Sequence, residues 1–295
     1  MKEFKFTQAD KEKFEEDGYL ALEGFLSEAE CDELRGECRN IVDEMNPEEH
    51  NTVFSTDKHE QMESNYLLTS NDKIRFFWEK EALDENGKLC LPKHGALNKV
   101  GHALHILSEP FREVTFSEKM QSIFRGLGFV KPAIPQSMYI FKPAKIGGEV
   151  NRHIDATFLY SDPLKLVGVW LALEDATLNN GCMWFVPGSH KQCDVTYRMV
   201  MNPVEGARPA TVFEGNMKHY DFDDYKAVPV KEGTLVLIHG KVHHRSNRNT
   251  SENSRNIYTF HVTETNNSKW SERNWLQPAN GTQFPLLYED SNVTS

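Results

Sequence analysis

The chain reads as mainly β with flanking α-helices, an antiparallel β core on which helical elements pack. Two observations predict that class. Capped segments with helical periodicity dominate up to about residue 130, and short β-branched and aromatic runs punctuated by Gly, Pro and Asn dominate after Lys131. Helices first and strands afterwards, rather than strict alternation of the two, point to an antiparallel sheet with helices segregated to its outside.

Thr7 and Asp10 form an S/T-x-x-D/E capping pair for a first helix, which Gly18 is placed to end. "YLALEGFL" (19–26) is a short apolar alternation. Ser27 with Glu30 caps a second helix running to about Met45, with Cys31, Leu34, Cys38, Ile41 and Met45 at helical spacing. Residues 46–72 are polar and aperiodic and read as loop. "GHALHIL" (101–107) and "SEKMQSIFRGLG" (117–128) read as two more helices, the second capped by Ser117 and closed at Gly126 or Gly128. Strand patterns then follow at 136–142, 153–160, 166–175, 182–188, 233–240 and 256–262. Residues 202–228 form a partly acidic insertion without a period, a candidate lid loop. No interdomain linker interrupts the chain, so a single domain over 1–295 is expected: a helical part to about 130, a β core over about 131–265 and a C-terminal extension.

With 39% hydrophobic and 26% charged residues, the composition is that of a globular chain with enough apolar side chains for a sizeable core. The net charge of −11 opposes non-specific nucleic-acid binding, which needs a basic surface. No run approaches the roughly 20 apolar residues of a membrane helix. The five cysteines are odd in number and contain no C-x-x-C pair, and the N-terminus lacks a signal-peptide pattern. A reducing, cytoplasmic location is therefore expected, and the N-x-[ST] matches at Asn249, Asn266, Asn280 and Asn292 are chance. The "NVTS" ending is not a peroxisomal address. No nucleic-acid or membrane partner is expected, and a monomer is favoured.

Within "RHIDATFL" (152–159), His153 and Asp155 stand two apart in a strand pattern and so share one face. A buried base and acid on one face need compensation. A hydrogen-bonded structural pair satisfies that need, and so does a metal. Two histidines and one carboxylate make a facial triad that leaves three positions on Fe(II) open for a cosubstrate and dioxygen. His239, His243 and His244 in "IHGKVHHRS" are all candidates for a remote third ligand, and composition does not choose among them. His102 and His105 lack a metal-motif partner and read as surface or capping residues, and His190 and His239 read as structural. Arg255 follows His244 by eleven positions in an apolar run, where it shares a face with Ile257 and Thr259. A buried arginine needs an anion, and its fork suits a carboxylate.

The H-x-D, the distant His and the Arg eleven residues later resemble the phytanoyl-CoA dioxygenase family of Fe(II)/2-oxoglutarate oxygenases. "DGYLALEGFLS" (17–27), "DKIRFFWEK" (72–80), "NKVGHALH" (98–105), "QSMYIFK" (136–142), "VGVWLALEDATLNNGCMWFVPGSH" (167–190) and "RNIYTFH" (255–261) carry the resemblance over nearly the whole chain. It implies a double-stranded β-helix, the cupin-like jelly roll, with Fe(II) held by His153, Asp155 and His244. It also implies that Arg255 binds the distal carboxylate of 2-oxoglutarate, with Ser246, Lys99, Met138 and Trp170 lining the cosubstrate pocket. On their own, Trp170 and Met138 read as core packing and Lys99 as a surface charge. His243, directly before His244, is a competitor for the metal. The implied reaction converts 2-oxoglutarate and dioxygen to succinate and carbon dioxide while hydroxylating a small-molecule, acyl or lipid-like substrate, with ascorbate as a supporting reductant. A jelly roll that binds metal or senses a ligand without turnover is the alternative. A zinc hydrolase with the same ligands leaves Arg255 without a purpose, and a halogenase is incompatible with a carboxylate at 155.

Overall fold

The computed structural model describes residues 4–50, 52–54, 65–204, 206–279 and 281–289. In chain order the strands are β1 (Tyr19–Leu22), β2 (Ile74–Trp78), β3 (Leu97–His102), β4 (Pro132–Ile140), β5 (Val150–His153), β6 (Ser161–Asp162), β7 (Leu166–Ala172) and β8 (Met183–Phe185). They continue with β9 (Tyr197–Met201), β10 (Thr211–Gly215), β11 (Lys226–Val228), β12 (Leu235–His239), β13 (His244–Ser246), β14 (Ile257–Glu264) and β15 (Lys269–Trp270). A large antiparallel sheet runs β1-β12-β7-β14-β4-β3-β2, and a small one runs β11-β8-β13-β5. Together they form the double-stranded β-helix, with a cavity between them lined from both sheets.

Alternation decides which side of the large sheet meets what. Along β14, Tyr258, Phe260 and Val262 point outward, as do Val167, Val169 and Leu171 on β7 and Leu235 and Leu237 on β12. These side chains form one cluster with Leu34, Cys38, Met120, Ile123 and Phe124 of the helices. The helices are amphipathic for that purpose. Helix Glu28–Glu44 starts at a reciprocal Ser27–Glu30 capping box and buries Cys31, Leu34, Cys38 and Val42. Helix Gln8–Asp17 has the same kind of box, Thr7 with Asp10, and ends at Gly18 in the left-handed conformation. The opposite parity on the same strands, Gln136, Met138, Gly168, Trp170, Thr259 and His261, faces the cavity.

Several elements differ from the sequence expectation. The part before residue 130 is not helical throughout: β1, β2 and β3 extend the large sheet at both of its ends. "GHALHIL" is split, since residues 97–102 form β3 and only Leu104–Leu107 is helical. Pairing of β3 with β2 and β4 satisfies its backbone and overrides the local pattern. The expected loop over 46–72 contains a short helix, Asn65–Leu68, and residues 51 and 55–64 of it lie outside the described residues. Within 202–228, β10 pairs back on β9 and β11 joins the small sheet, so this stretch forms a wall with its own strands. The ladder between β14 and β4 shifts register between His261 and Thr263, where β4 carries Pro135, a residue without an N–H to donate.

Asn249 ties together the loops that enter β14. It is fully buried, and its side-chain amide donates to the carbonyls of Lys142, Pro143 and Asn253 while its oxygen accepts from Ser251. A glycan at this N-x-S match is incompatible with the fold. Asn249→Ala should lower stability in urea unfolding by about 2–4 kcal/mol, because each buried carbonyl left without a donor costs roughly 1–3 kcal/mol.

Candidate metal and anion site

His153 ends β5 and His244 begins β13, and the two residues pair directly across that ladder. Asp155 is placed differently from the sequence expectation. It opens a 3-10 turn, Asp155–Thr157, just after the strand, so it does not share a strand face with His153. The turn swings the carboxylate inward, between the sheets. Oδ1 lies 3.7 Å from His153 Nε2 and 3.5 Å from His244 Nε2. One donor atom from each of the three residues falls within 4.8 Å of the other two.

Both ring tautomers are set by the backbone. His153 Nδ1 donates to the Asn151 carbonyl at 2.7 Å and His244 Nδ1 to the Val242 carbonyl at 3.0 Å. Each ring therefore presents the lone pair of Nε2 to the centre. Burial, helped by the neighbouring His153, lowers His244 to about 4, so the ring is neutral at pH 7. Burial pushes the Asp155 carboxyl up, but His261, His244 and the His153 contact outweigh it and hold the group well below the usual carboxylate range. A neutral His244, an ionised Asp155 and the inward-turned Nε2 of His153 make a donor set that suits a divalent metal. Asp155 Oδ2 is buried without a hydrogen-bond partner. Of the competing histidines, His243 turns away to Cys193 Sγ at 3.6 Å and to the Tyr220 ring at 4.7 Å. His190 and His239 pack against each other at a tilt, with ring centres 4.7 Å apart. His102 and His105, expected at the surface, are buried and bonded to Ser70 and Ser137.

The remaining predicted residues line the same cavity, of about 790 Å³. Register explains the grouping: Met138, Thr259 and Trp170 are cross-strand partners on β4, β14 and β7. Arg255 lies just before β14 rather than on it. It is buried, with its guanidinium 5.3 Å from the centre of the Trp170 ring. Its Nε has no hydrogen-bond partner, and among the described residues no carboxylate pairs with it. Burial pulls Arg255 down to about 10. Lys99 is not a surface charge. It is buried on β3 with its ammonium 3.2 Å from the centre of the Phe54 ring, and burial, opposed by Glu79, lowers it to about 7. Ser246 is buried and donates to the Gly181 carbonyl at 2.8 Å.

Two further residues, Lys142 and His261, line the cavity. Lys142 is buried at a left-handed φ of 39°, and its ammonium donates to the Gly148 carbonyl at 2.6 Å. Burial and the nearby Arg255 lower it well below the usual lysine range. His261 approaches Asp155 Oδ2 at 3.3 Å. The alternation that puts Ile257 and Thr259 on the cavity face, continued one step, reaches His261. Lys142 reads from the sequence as a solvated charge or as a basic contact for an anionic substrate, and the structure buries it. Lys99, Lys142 and Arg255 face the cavity with Glu79 as the nearby buried carboxylate, so this end is built for an anion. The other end is apolar. Phe158 lies 5.7 Å from the His153 ring and 6.3 Å from Phe213, which stacks on Tyr197 at 5.0 Å.

A family model described as phytanoyl-CoA dioxygenase (PhyH) matches residues 14–257. Phytanoyl-CoA dioxygenase domain-containing protein 1 of Danio rerio is 51% identical over 288 residues, which cover 96% of this chain and 98% of that protein. Among solved structures, the non-heme alpha ketoglutarate dependent carbocyclase SnoK from nogalamycin biosynthesis is similar with a TM-score of 0.62 at 19% identity, covering 95% of this chain and 96% of that one. The epimerase SnoN, in complex with Fe3+, alpha ketoglutarate and nogalamycin RO, is similar with a TM-score of 0.63 at 16% identity, covering 95% and 98%. Among the described residues no helix is long and apolar enough to cross a membrane.

Gly168 leaves the room in which the buried carboxylate sits. A Cβ there would lie 2.9 Å from Asp155 Oδ2 and 3.4 Å from Ile238 Cβ. Gly168→Ala should therefore destabilise the protein by about 1–3 kcal/mol in urea unfolding. Gly36→Ala, on a helix with open space around it, should stabilise by up to about 1 kcal/mol.

Proposed function

The chain belongs to the phytanoyl-CoA dioxygenase family, and from that premise we propose that it is an Fe(II)- and 2-oxoglutarate-dependent oxygenase that hydroxylates a small apolar substrate. One observation carries the reading: a His–Asp–His donor set and a buried arginine without a carboxylate partner open into the same cavity. A hydrolytic metal site with the same ligands would give Arg255 no anion to bind. That the similar epimerase is described in complex with Fe3+ and alpha ketoglutarate is consistent with this pairing.

In this reading His153 and His244 would hold Fe(II) through Nε2 and Asp155 through its carboxylate. When bound, the metal supplies the activation of dioxygen that turns 2-oxoglutarate into succinate and oxidises the substrate. The chain's own residues bind and orient. Arg255 takes the distal carboxylate of 2-oxoglutarate in a charge-assisted fork, supported by Lys99. Met138 and Trp170 wall that arm and keep water from it, and Trp170 also lies against the guanidinium. Ser246 lines the same cavity as Arg255. The aromatic wall of Phe158, Phe213 and Tyr197 places an apolar substrate next to His153.

With Fe(II), ascorbate and 2-oxoglutarate supplied, the purified chain should form succinate slowly even without the substrate to be hydroxylated. No succinate above a metal-free control, over a panel of apolar substrates, would leave a metal-binding jelly roll without turnover. In anaerobic calorimetry, Mn(II) binding should be lost in His244→Ala and kept in His243→Ala. Arg255→Met should keep Mn(II) but weaken 2-oxoglutarate by roughly 30-fold to several thousandfold, the equivalent of about 2–5 kcal/mol.

The pH response follows from Lys99. With a value of about 7, it is cationic below that pH and attracts the carboxylate, and it loses its proton as pH rises. Affinity for 2-oxoglutarate should therefore be full below about pH 7 and decline above it. In Lys99→Met the profile should be flat from pH 6 to 8.5.

A further inference from the structure

Asp155 is held from two sides. Oδ1 faces His153 and His244 of the small-sheet side, and Oδ2 faces the large sheet, where His261 Nε2 stands 3.3 Å away. That approach falls short of a well-directed hydrogen bond, which leaves Oδ2 buried without a partner. His261 is oriented in turn by Gln136, its cross-strand neighbour on β4, whose Nε2 lies 3.2 Å from His261 Nδ1. An amide that donates to Nδ1 makes this nitrogen the acceptor and puts the ring proton on Nε2, toward Asp155. Gly168, the partner of His261 on β7, carries no side chain to come between ring and carboxylate. Gln136, His261 and Gly168 thus form one cavity-facing row across three strands, aimed at a single carboxylate oxygen.

We propose that His261 is a positioning residue for the metal-binding carboxylate, its Nε2–H holding Asp155 Oδ2 so that Oδ1 is directed at the metal. The inference rests on the metal reading above. It assigns a role to a histidine outside the H-x-D…H pattern, and it makes Gln136 the residue that fixes the tautomer of His261. A donor to the free oxygen of a ligating carboxylate fixes its rotation and so the direction of its lone pairs.

The test compares wild type, His261→Phe, His261→Gln and Gln136→Leu in the full chain, with Mn(II) affinity by anaerobic calorimetry and the Co(II) absorption spectrum as readouts. His261→Phe keeps the ring volume without a donor and should weaken Mn(II) by about 10–100-fold, with shifted Co(II) bands. His261→Gln puts an amide N–H near the place of Nε2 and should restore most of the affinity. Gln136→Leu should weaken Mn(II) by several-fold, and it carries the test alone if His261→Phe does not fold. Wild-type affinity and spectrum in both His261→Phe and Gln136→Leu would overturn the assignment and leave His261 as packing. Equal loss in His261→Gln and His261→Phe, with a Co(II) spectrum of lower coordination, would overturn it by making His261 a ligand. Failure of the wild type to bind Mn(II) at all would overturn the metal reading itself.

Discussion

An ionised carboxylate buried between two sheets is the constraint on which the rest of this molecule depends. Removed from water, Asp155 is stable only among groups that oppose its charge. Three imidazoles surround it, two from the small-sheet side and one from the large sheet, and of these His261 is the one placed to direct an N–H at it. The sheets therefore have to approach each other at one level, and the chain has to turn inward immediately after β5. The 3-10 turn provides that inward step, and the missing side chain at Gly168 provides the room. Placing one carboxylate fixes the relation between β5, β7, β13 and β14.

A second separation of charge follows along the cavity. Its inner end gathers Lys99, Lys142 and Arg255, and the wall formed by the β9–β10 hairpin gathers Phe213 and Tyr197 beside Phe158. An anion and an apolar group are thereby drawn to different parts of one space, with the His–Asp–His set between them. Lys99 sits on β3, Lys142 just after β4 and Arg255 just before β14, all strands of the large sheet, whereas most of the aromatic wall belongs to a hairpin outside both main sheets. The two halves of the cavity thus have separate supports.

Much of this was legible in the residues. Thr7 with Asp10 and Ser27 with Glu30 mark helix starts through chemistry local to four residues, and both boxes are present. The alternation of 257–262 announces a strand with two distinct faces, and it already implied the placement of His261. What escaped was set by distant parts of the chain. Gly101 and His102 read as the start of a helix over 101–107 but close β3, because β2 and β4 offer ladders on both sides. Asp155 has a strand-like neighbourhood but sits in a turn held by the Gly240 carbonyl. Lys99 and Lys142 look like solvated charges until the strands that bury them are assembled, since burial of a lysine is a property of the fold and not of its neighbours in sequence. His102 and His105 were hidden for the same reason.

Arg255 and His261 face the same space from one segment, because Arg255 enters β14 and His261 lies on it at the parity of Ile257 and Thr259. Their side chains keep that direction only while the number of residues between them stays fixed. Adding or removing one residue there would turn every later side chain of the strand to the helical layer, sending His261 into oil and Phe260 toward the carboxylate. Substitutions on the helix-facing side leave this parity intact. The outer face of the segment can therefore accept changes of composition, whereas the length between the arginine and the histidine is set by the geometry of the cavity.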